Sequence, residues 1–583
     1  MTAREAAALL AEIAMLLEVV GGNPFRAKAF QSASRWLETS GADLPALAAA
    51  GELRTLRGVG EGIAGVLAEL VATGTSRMLE ELRAETPVGL FDVMRIKGVG
   101  ARRGRTLYRD LGIDSLEKLE EAASLGRLAT LPGFGAKTEQ KILEGVAFVR
   151  QMRGRRRFFQ AVEPAAALLE MVESLSGVTA VSAAGQVRRR LEVVDSIDIV
   201  AAARKPETVL AAFRLLQGVA RADSDAVADR RAEVVLADGL RATLVCVKPP
   251  EYATALLFAT GSEGHLAQLA ARADGMKLRL APEGVFQGKK RLALADEAAV
   301  YRALGLDFVP PELREGWGEV EAAAEGRLPT LVDVDDLRGT FHCHTTYSDG
   351  RASVAEMAAA ARERGWRYLG IADHSQSAGY AGGLPPTAVK RQHREIDAWN
   401  VEHGGKGKKR FRLFKGVESD ILADGRLDYA DNVLRSFDYV VGSVHSNFGL
   451  DEAAQTRRLI RAVSDPRITM LGHATGRLLL RREGYAVDVR AVIDAAAEHG
   501  VCVEINADPN RLDVDWTHAR YAAEKGVLVP INPDAHSTAA LGNVAWGVNV
   551  ARKAWLTAPQ VLNTWDLDEL EEFLAERKQK SAP

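Results

Sequence analysis

The residues best suited to chemistry lie late in the chain. His342 and His344 close one apolar run, and Asp534 and His536 close another, each pair at the i, i+2 spacing that puts both side chains on one face of an extended strand. Asp349 follows the first pair in Thr345-Thr346-Tyr347-Ser348-Asp349-Gly350. His374 ends a second apolar run after Asp373, Glu418 ends a third, and His445 and His473 end later ones. Imidazoles and carboxylates delivered from separate strand ends suit Zn2+, Mn2+ or Fe2+, with a carboxylate available to bridge two ions. One histidine at a strand end is more often structural, but a whole set at successive strand ends points to metal. His265, His393, His403, His499 and His518 fit no such position and are expected to be ordinary core or surface residues.

The elements that must position this set are alternating apolar runs and helical patterns from Leu337 onward. The runs include 368–372, 414–417, 439–444, 469–471, 502–505 and 528–531. Repeated strand-helix units indicate a parallel barrel with its active residues at the C-terminal ends of strands. Arg477, in Gly472-His473-Ala474-Thr475-Gly476-Arg477, has two readings, a phosphate clamp or a structural ion pair. The run Lys406, Lys408, Lys409, Arg410 reads as an exposed loop, with solubility or DNA contact as its two uses.

A chain of 583 residues exceeds one ordinary core and calls for several domains. No stretch of about 18 uncharged apolar residues exists to span a bilayer. The amphipathic start, with Arg4, Glu5, Glu12 and Glu18, is unlike a signal peptide, so the cytoplasm is expected. Three scattered cysteines support neither a disulfide framework nor a Cys-based zinc site. The net charge of −3 conceals a segregation: residues 91 to 160 hold 15 Lys/Arg against 8 Asp/Glu. That stretch sums to +7 and the remainder to −10, so a local surface for phosphates is not excluded by the total.

Three short patterns lie in or near this basic region: Leu56-Arg57-Gly58-Val59-Gly60, Ile96-Lys97-Gly98-Val99-Gly100 and Leu131-Pro132-Gly133-Phe134-Gly135. Each joins two helical patterns. The glycines permit a tight turn and expose backbone N–H groups at the next helix N-terminus, where a phosphate can dock. One such pattern is explained equally well by a helix C-cap. Three resemble the helix-hairpin-helix motif, a non-sequence-specific grip on DNA backbones. Asn23-Pro24-Phe25-Arg26-Ala27-Lys28-Ala29-Phe30 adds Arg26 and Lys28, as in the small N-terminal domain of family X DNA polymerases.

The resemblance to bacterial family X polymerases continues through the middle of the chain. Gly185-Gln186-Val187-Arg188-Arg189 and then Ser196-Ile197-Asp198 stand where the family has Gly-Ser-x-Arg-Arg and Asp-x-Asp. Thr260-Gly261-Ser262, Tyr301-Arg302-Ala303-Leu304-Gly305-Leu306 and Pro310-Pro311-Glu312-Leu313 match later segments. Two-metal nucleotidyl transfer needs a cluster of carboxylates. By the family's pattern, Ser196 replaces the first, Asp198 is retained, and Thr243 stands at the third position. Asp195 is one residue out of step and faces the opposite side of a strand. Gln186 replaces the serine that contacts the triphosphate. Polymerase activity, with its Mg2+, is therefore expected to be lost, because neutral hydroxyls are weak ligands that offset no charge. Val66 occupies the position of the family's Schiff-base lysine, so 5′-deoxyribose phosphate removal is expected to be absent as well.

From about Arg338 to Ser537 the chain resembles the polymerase and histidinol phosphatase (PHP) domain, a distorted barrel with a trinuclear metal centre. All nine ligand positions are filled, by His342, His344, Asp349, His374, Glu418, His445, His473, Asp534 and His536. The resemblance implies that Glu418 bridges two ions, that His342, His344 and Asp534 share one metal, that Asp349, His374 and His536 share another, and that His445 and His473 hold the third.

The expected architecture is multidomain: all-α helix-hairpin-helix segments at 1–85 and 86–157, an α+β polymerase-like palm at 158–258, a thumb at 259–318, a linker at 319–336 and a PHP-type barrel at 337–583. The favoured function is metal-dependent 3′-to-5′ exonuclease or 3′-end and abasic-site processing in DNA repair, on gapped, nicked or 3′-ended DNA. Three alternatives stay open. A working gap-filling polymerase is disfavoured by the missing carboxylates, a histidinol-phosphatase-like enzyme has no use for the hairpins, and a DNA-binding scaffold predicts no bound metal.

Overall fold

Helix-forming sequence with apolar residues three and four apart dominates the first part of the chain. The computed structural model describes residues 1, 3–40, 42–96, 98–222, 230–407 and 410–580, so that Lys97, Lys408 and Lys409, named above, lie outside the described residues. Two compact units result, Met1–Arg153 and Gly154–Pro583.

In the first unit, Leu10, Ile13 and Leu17 of α1 (Ala3–Val20) share a core with Phe30, Ala33 and Leu37 of α2 (Pro24–Ser40). A second core gathers apolar residues between Leu90 and Val149. The three glycine patterns immediately precede α3 (Glu61–Thr73), α4 (Gly100–Leu111) and α5 (Ala136–Met152). The first glycine of each has positive φ, +79° at Gly58, +87° at Gly98 and +84° at Gly133, where a side chain would be strained. That reversal sends the middle residue, Val59, Val99 or Phe134, into the core. No side chain caps any of the three following helices, which leaves first-turn N–H groups open to an external acceptor. Arg103 ties the second and third turns together, donating to the carbonyls of Gly98 at 2.7 Å and Gly133 at 3.4 Å.

The second unit begins with a five-stranded sheet, β1 (Val178–Ala184), β2 (Ser196–Ala203), β3 (Val219–Ala222), β4 (Arg231–Leu236) and β5 (Arg241–Val247), in the spatial order β1-β2-β5-β4-β3. Helices Phe158–Glu173 and Pro206–Phe213 share the core formed with its strands. Helices Tyr252–Thr260, Glu263–Gly275 and Glu297–Ala303 with a small antiparallel sheet form the next layer. The stretch expected to be a linker differs from that reading. Glu319–Ala324 is a helix whose Val320 and Ala323 join the core of this layer, and its buried Glu319 meets the equally buried His265 at 2.7 Å.

Near-continuous apolar runs then build parallel strands buried on both faces. In spatial and chain order they are β6 (Gly339–Cys343), β7 (Tyr368–Ile371), β8 (Arg412–Asp420), β9 (Tyr439–Ser443), β10 (Met470–Leu471) and β11 (Cys502–Val503). β12 (Ile505–Asn506) and β13 (Ile531–Asn532) add a further parallel pair, and a parallel bridge between Cys343 and Ala535 brings the last segment back to β6. The result is a curled, irregular parallel barrel. Phe341, Tyr368, Phe414 and Tyr439 share a core with Leu570 and Leu574 of the C-terminal helix. Among the described residues no helix is long and apolar enough to cross a membrane.

Candidate metal centre

The barrel delivers all nine expected ligands to one place. Four groups of ligand atoms lie within 4.8 Å of one another: His344, Asp349, His374 and His536; His342, His344 and Asp534; His342, Glu418 and His473; and His374, Glu418 and His445. Glu418 lies at the centre. Its Oε1 is 3.2 Å from His342 Nε2, 3.1 Å from His445 Nε2 and 2.9 Å from His473 Nε2, while Oε2 is 2.8 Å from His374 Nδ1. One carboxylate with separate neighbours on each oxygen has the form of a bridge.

Local backbone geometry aims these groups. β6 has a register irregularity between Thr340 and Cys343, and His342 adopts φ +57°. The pair at 342 and 344 therefore does not sit on one regular extended strand, as the spacing predicts. A bulged strand end re-aims the side chains instead, and the two rings still approach to 5.3 Å. His473 and Asp534 also have positive φ, so ligand geometry is held against backbone preference.

Metal ions fit this donor set. His342 Nε2, both ring nitrogens of His344, His374 Nδ1, Glu418 Oε2 and His473 Nδ1 are buried without a hydrogen-bond partner. Leaving so many buried polar atoms unsatisfied is costly in the absence of a ligand. The electrostatics agree. Burial opposes ionisation of Glu418, yet His445, His374 and His342 hold its carboxyl well below the usual range. Burial also opposes protonation of His445, but Glu418 and Asp420 outweigh it and raise that imidazole to about 10. His344 is pushed down to about 3 by burial and by the neighbouring His536 and His374. Asp349 and His536 are the open side of the cluster, with side chains 37% and 35% exposed.

A surrounding set of carboxylates is absent from the sequence reading. Glu504, fully buried, accepts from His342 Nδ1 at 2.7 Å, Asn532 Nδ2 at 2.7 Å, Asn506 Nδ2 at 3.0 Å and the His473 backbone N–H at 3.2 Å. Asp420 meets His445 Nδ1 at 2.6 Å. Asp373 accepts from Thr345, Ser348 and Gln392, pinning the loop that carries Asp349. Such partners fix the tautomer and orientation of ligating groups. Asp420 sits two residues beyond Glu418 on β8, the one local signal that could have exposed it. Arg477 takes the second of its two readings. It pairs with Glu192 at 2.9 Å and donates to the carbonyls of Arg511 and Leu512, so its Nε and Nη2 are engaged within the protein.

The palm-like sheet has a different character. Asp198 on β2 lies in register beside Thr243 on β5, and Ser196 Oγ is 3.2 Å from both Asp198 oxygens. Burial raises the Asp198 carboxyl above its usual value. Asp195 turns to Arg155 at 2.8 Å and to Gln186 Nε2 at 2.8 Å, away from this row. Gly185, at φ +57°, lies so close that a Cβ would fall 2.1 Å from Asp198 Oδ2. Arg188 is engaged by Glu297 at 2.5 and 2.9 Å and by Thr260, and Arg189 by Glu315 at 2.9 Å. Among the described residues, the groups able to hold a metal all lie in the barrel.

In the first unit, Gly58, Gly60, Gly100 and Gly135 face open space, so the turns are accessible, while Gly98 and Gly133 lie against Arg103. Arg26 and Lys28 are exposed on α2.

Comparison with known proteins assigns four stretches of the chain. A helix-hairpin-helix domain model matches residues 1–76, a SAM-like helix-hairpin-helix tandem matches 91–147, a DNA polymerase beta thumb matches 255–315 and a PHP domain matches 340–508. The DNA polymerase/3′-5′ exonuclease PolX of Bacillus subtilis (strain 168) is 34% identical over 570 residues, covering 97% of this chain and 98% of the relative. The chain belongs to the bacterial family X DNA polymerases that carry a PHP domain. A probable phosphatase of Thermoanaerobacter sp. (strain X514) is 27% identical over 257 residues, 41% of this chain and 95% of the relative. That partial match is to a protein less than half as long as this family X chain, whereas PolX aligns along nearly all of it.

Proposed function

We propose that this family X member is a metal-dependent 3′-to-5′ exonuclease and 3′-end phosphoesterase acting on DNA in repair in the cytoplasm, and that it has lost polymerase activity. The carrying observation is the convergence of nine candidate ligand side chains, five of which hold buried atoms without a hydrogen-bond partner. The donor groups would hold up to three divalent ions, Mn2+, Zn2+ or Fe2+, with Glu418 placed to serve more than one of them. When bound, such ions offset phosphate charge and activate water for phosphoester hydrolysis.

The chain's own residues do the rest. Glu504 and Asp420 accept the Nδ1–H of His342 and His445 and so hold Nε2 of each toward Glu418. The less buried side at Asp349 and His536 is the entry for substrate. The open glycine turns, with Arg26 and Lys28, hold the DNA backbone through N–H groups and positive charge, favouring gapped, nicked or 3′-recessed DNA. In the palm, one carboxylate beside two hydroxyls, with Arg188 and Arg189 already engaged, makes a poor site for Mg2+ and a triphosphate.

The test incubates labelled gapped and 3′-recessed DNA with Mn2+, with and without dNTPs, comparing wild type with His344→Ala. Shortening is expected, and loss of a ligand should cost more than the roughly 10- to 100-fold typical of its supporting residues. Absence of shortening or dephosphorylation with any of the three metals would refute the nuclease reading. A second reading, a working gap-filling polymerase, is favoured by the activity named for the Bacillus relative. Primer extension that is abolished by Asp198→Ala would establish it.

A further inference from the structure

An exposed aromatic ring stands over the ligand cluster. Tyr380 lies on the short turn Gly379–Ala381 and is 71% exposed. Its ring is 5.9 Å from that of His374 and 6.1 Å from that of His445. The turn is firmly built: Ala378 and Ala381 are buried, Ser377 reaches Asp420 at 2.8 Å, and Leu384 N donates to His374 O at 2.9 Å. Among the described residues, the Tyr380 hydroxyl has no hydrogen-bond partner. An aromatic held out on an anchored turn is a stacking platform with little ordering cost.

A cation faces the same cluster. Arg511 Nε lies 3.9 Å from Asp534 Oδ2, and its side chain is 21% exposed. Among the described residues its guanidinium donates no hydrogen bond, although its backbone is fixed by the bond from Arg477 Nε to its carbonyl at 3.1 Å. A half-buried guanidinium with unused planar donors suits a phosphodiester. Once divalent cations satisfy Asp534, the natural partner for that charge is an incoming anion.

We propose that Tyr380 and Arg511 form the subsite for the 3′-terminal nucleotide of an unpaired strand, with the ring stacking on its base and the guanidinium meeting its phosphodiester. This rests on reading the barrel as a 3′-end phosphoesterase. Among those 3′ ends it favours ones whose last base is free or frays from the duplex, because a base still paired cannot lie flat on an external ring.

The experiment has two arms. In the first, a single strand ending in 2-aminopurine, with a phosphorothioate last linkage to prevent cleavage, is titrated with protein in Mn2+. Quenching of the terminal base is expected with wild type, Tyr380→Phe and Tyr380→Trp, and should be lost in Tyr380→Ala. In the second, KM on a single-stranded 3′ end should rise about 10- to 100-fold in Tyr380→Ala with kcat within about threefold, whereas a 3′-abasic end should respond little. Arg511→Ala and Arg511→Gln should raise KM on both ends while metal content, measured by elemental analysis, stays at the wild-type value. The proposal falls if Tyr380→Ala matches wild type in quenching and KM, or if the Arg511 variants change metal content alone. Quenching lost in Tyr380→Ala while wild type digests no DNA would uphold the subsite and overturn the nuclease reading.

Discussion

Glu504→Gln is the sharpest test of how the centre is held. Both carboxylate oxygens receive two donors: Oε2 from His342 Nδ1 and Asn532 Nδ2, and Oε1 from Asn506 Nδ2 and the His473 backbone. Glutamine has the same shape, but whichever way its amide turns, the NH2 group confronts two donors. Two hydrogen bonds to a charged acceptor are lost at a fully buried site, at about 1.5–3 kcal/mol each, so destabilisation of roughly 3–6 kcal/mol is expected. His342 also loses the acceptor that fixes its tautomer, which should weaken metal binding about 10- to 100-fold. Thermal melting of the metal-free protein reads the first quantity, and equilibrium dialysis against Mn2+ reads the second. If Glu504→Gln melts with wild type and binds Mn2+ equally well, the supporting role assigned to Glu504 is wrong.

Arg477→Ala should strand Glu192 in a buried position without its partner, at a cost of about 3–5 kcal/mol. A lower Tm with unchanged metal content would place Arg477 in the framework, and a loss of metal at unchanged Tm would contradict that. The His265–Glu319 pair makes the thumb layer acid-sensitive. Burial, working against the pull of Glu319, lowers the His265 pKa, so below about pH 6.5, the ordinary histidine value, the unfolded chain takes up a proton that the folded one refuses. Glu319 is lowered despite burial, chiefly by His265, and its contribution also fades as pH falls through its folded value. Melting temperature should therefore drop on acidification from about pH 7 to pH 5, with a shallower slope in His265→Gln. In the metal-free protein, His445 at about 10 and His536 at about 9 carry protons at neutral pH. Mn2+ uptake should release protons, so calorimetry in two buffers of different ionisation enthalpy should give different apparent heats; identical heats would argue against those protonation states.

The convergence of the nine side chains was legible because barrel topology places strand ends together, so residues at successive strand ends must meet. The glycine turns were legible because Gly58, Gly98 and Gly133 need a conformation that few other residues adopt. Glu504 was not, since its meaning depends on His342, 162 residues earlier, and its own neighbours are apolar strand residues. Arg477 was undecidable for the same reason: Glu192, its partner, lies 285 residues earlier, in the stretch that leads into β2. The stretch 319–336 looked like a linker because a short acidic helix carries little periodic signal. Only the buried His265 shows why Glu319 belongs to the fold. The i, i+2 argument brings His342 and His344 together by a route the strand does not follow, because the irregularity in β6 supplies the aim that a straight strand was expected to give.

The bridge between Cys343 and Ala535 joins the first strand of the barrel to the segment after the last. His342 and His344 arrive from one side of that seam, and Asp534 and His536 from the other, with His344 Nε2 only 3.2 Å from Asp534 Oδ1. A growing chain that has emerged as far as residue 508 already carries seven of the nine ligands, yet it cannot assemble either group that needs the late pair. Hydrolytic competence is thus withheld from a barrel that stops short of Asp534, and readiness to cut DNA becomes a report that the seam has closed.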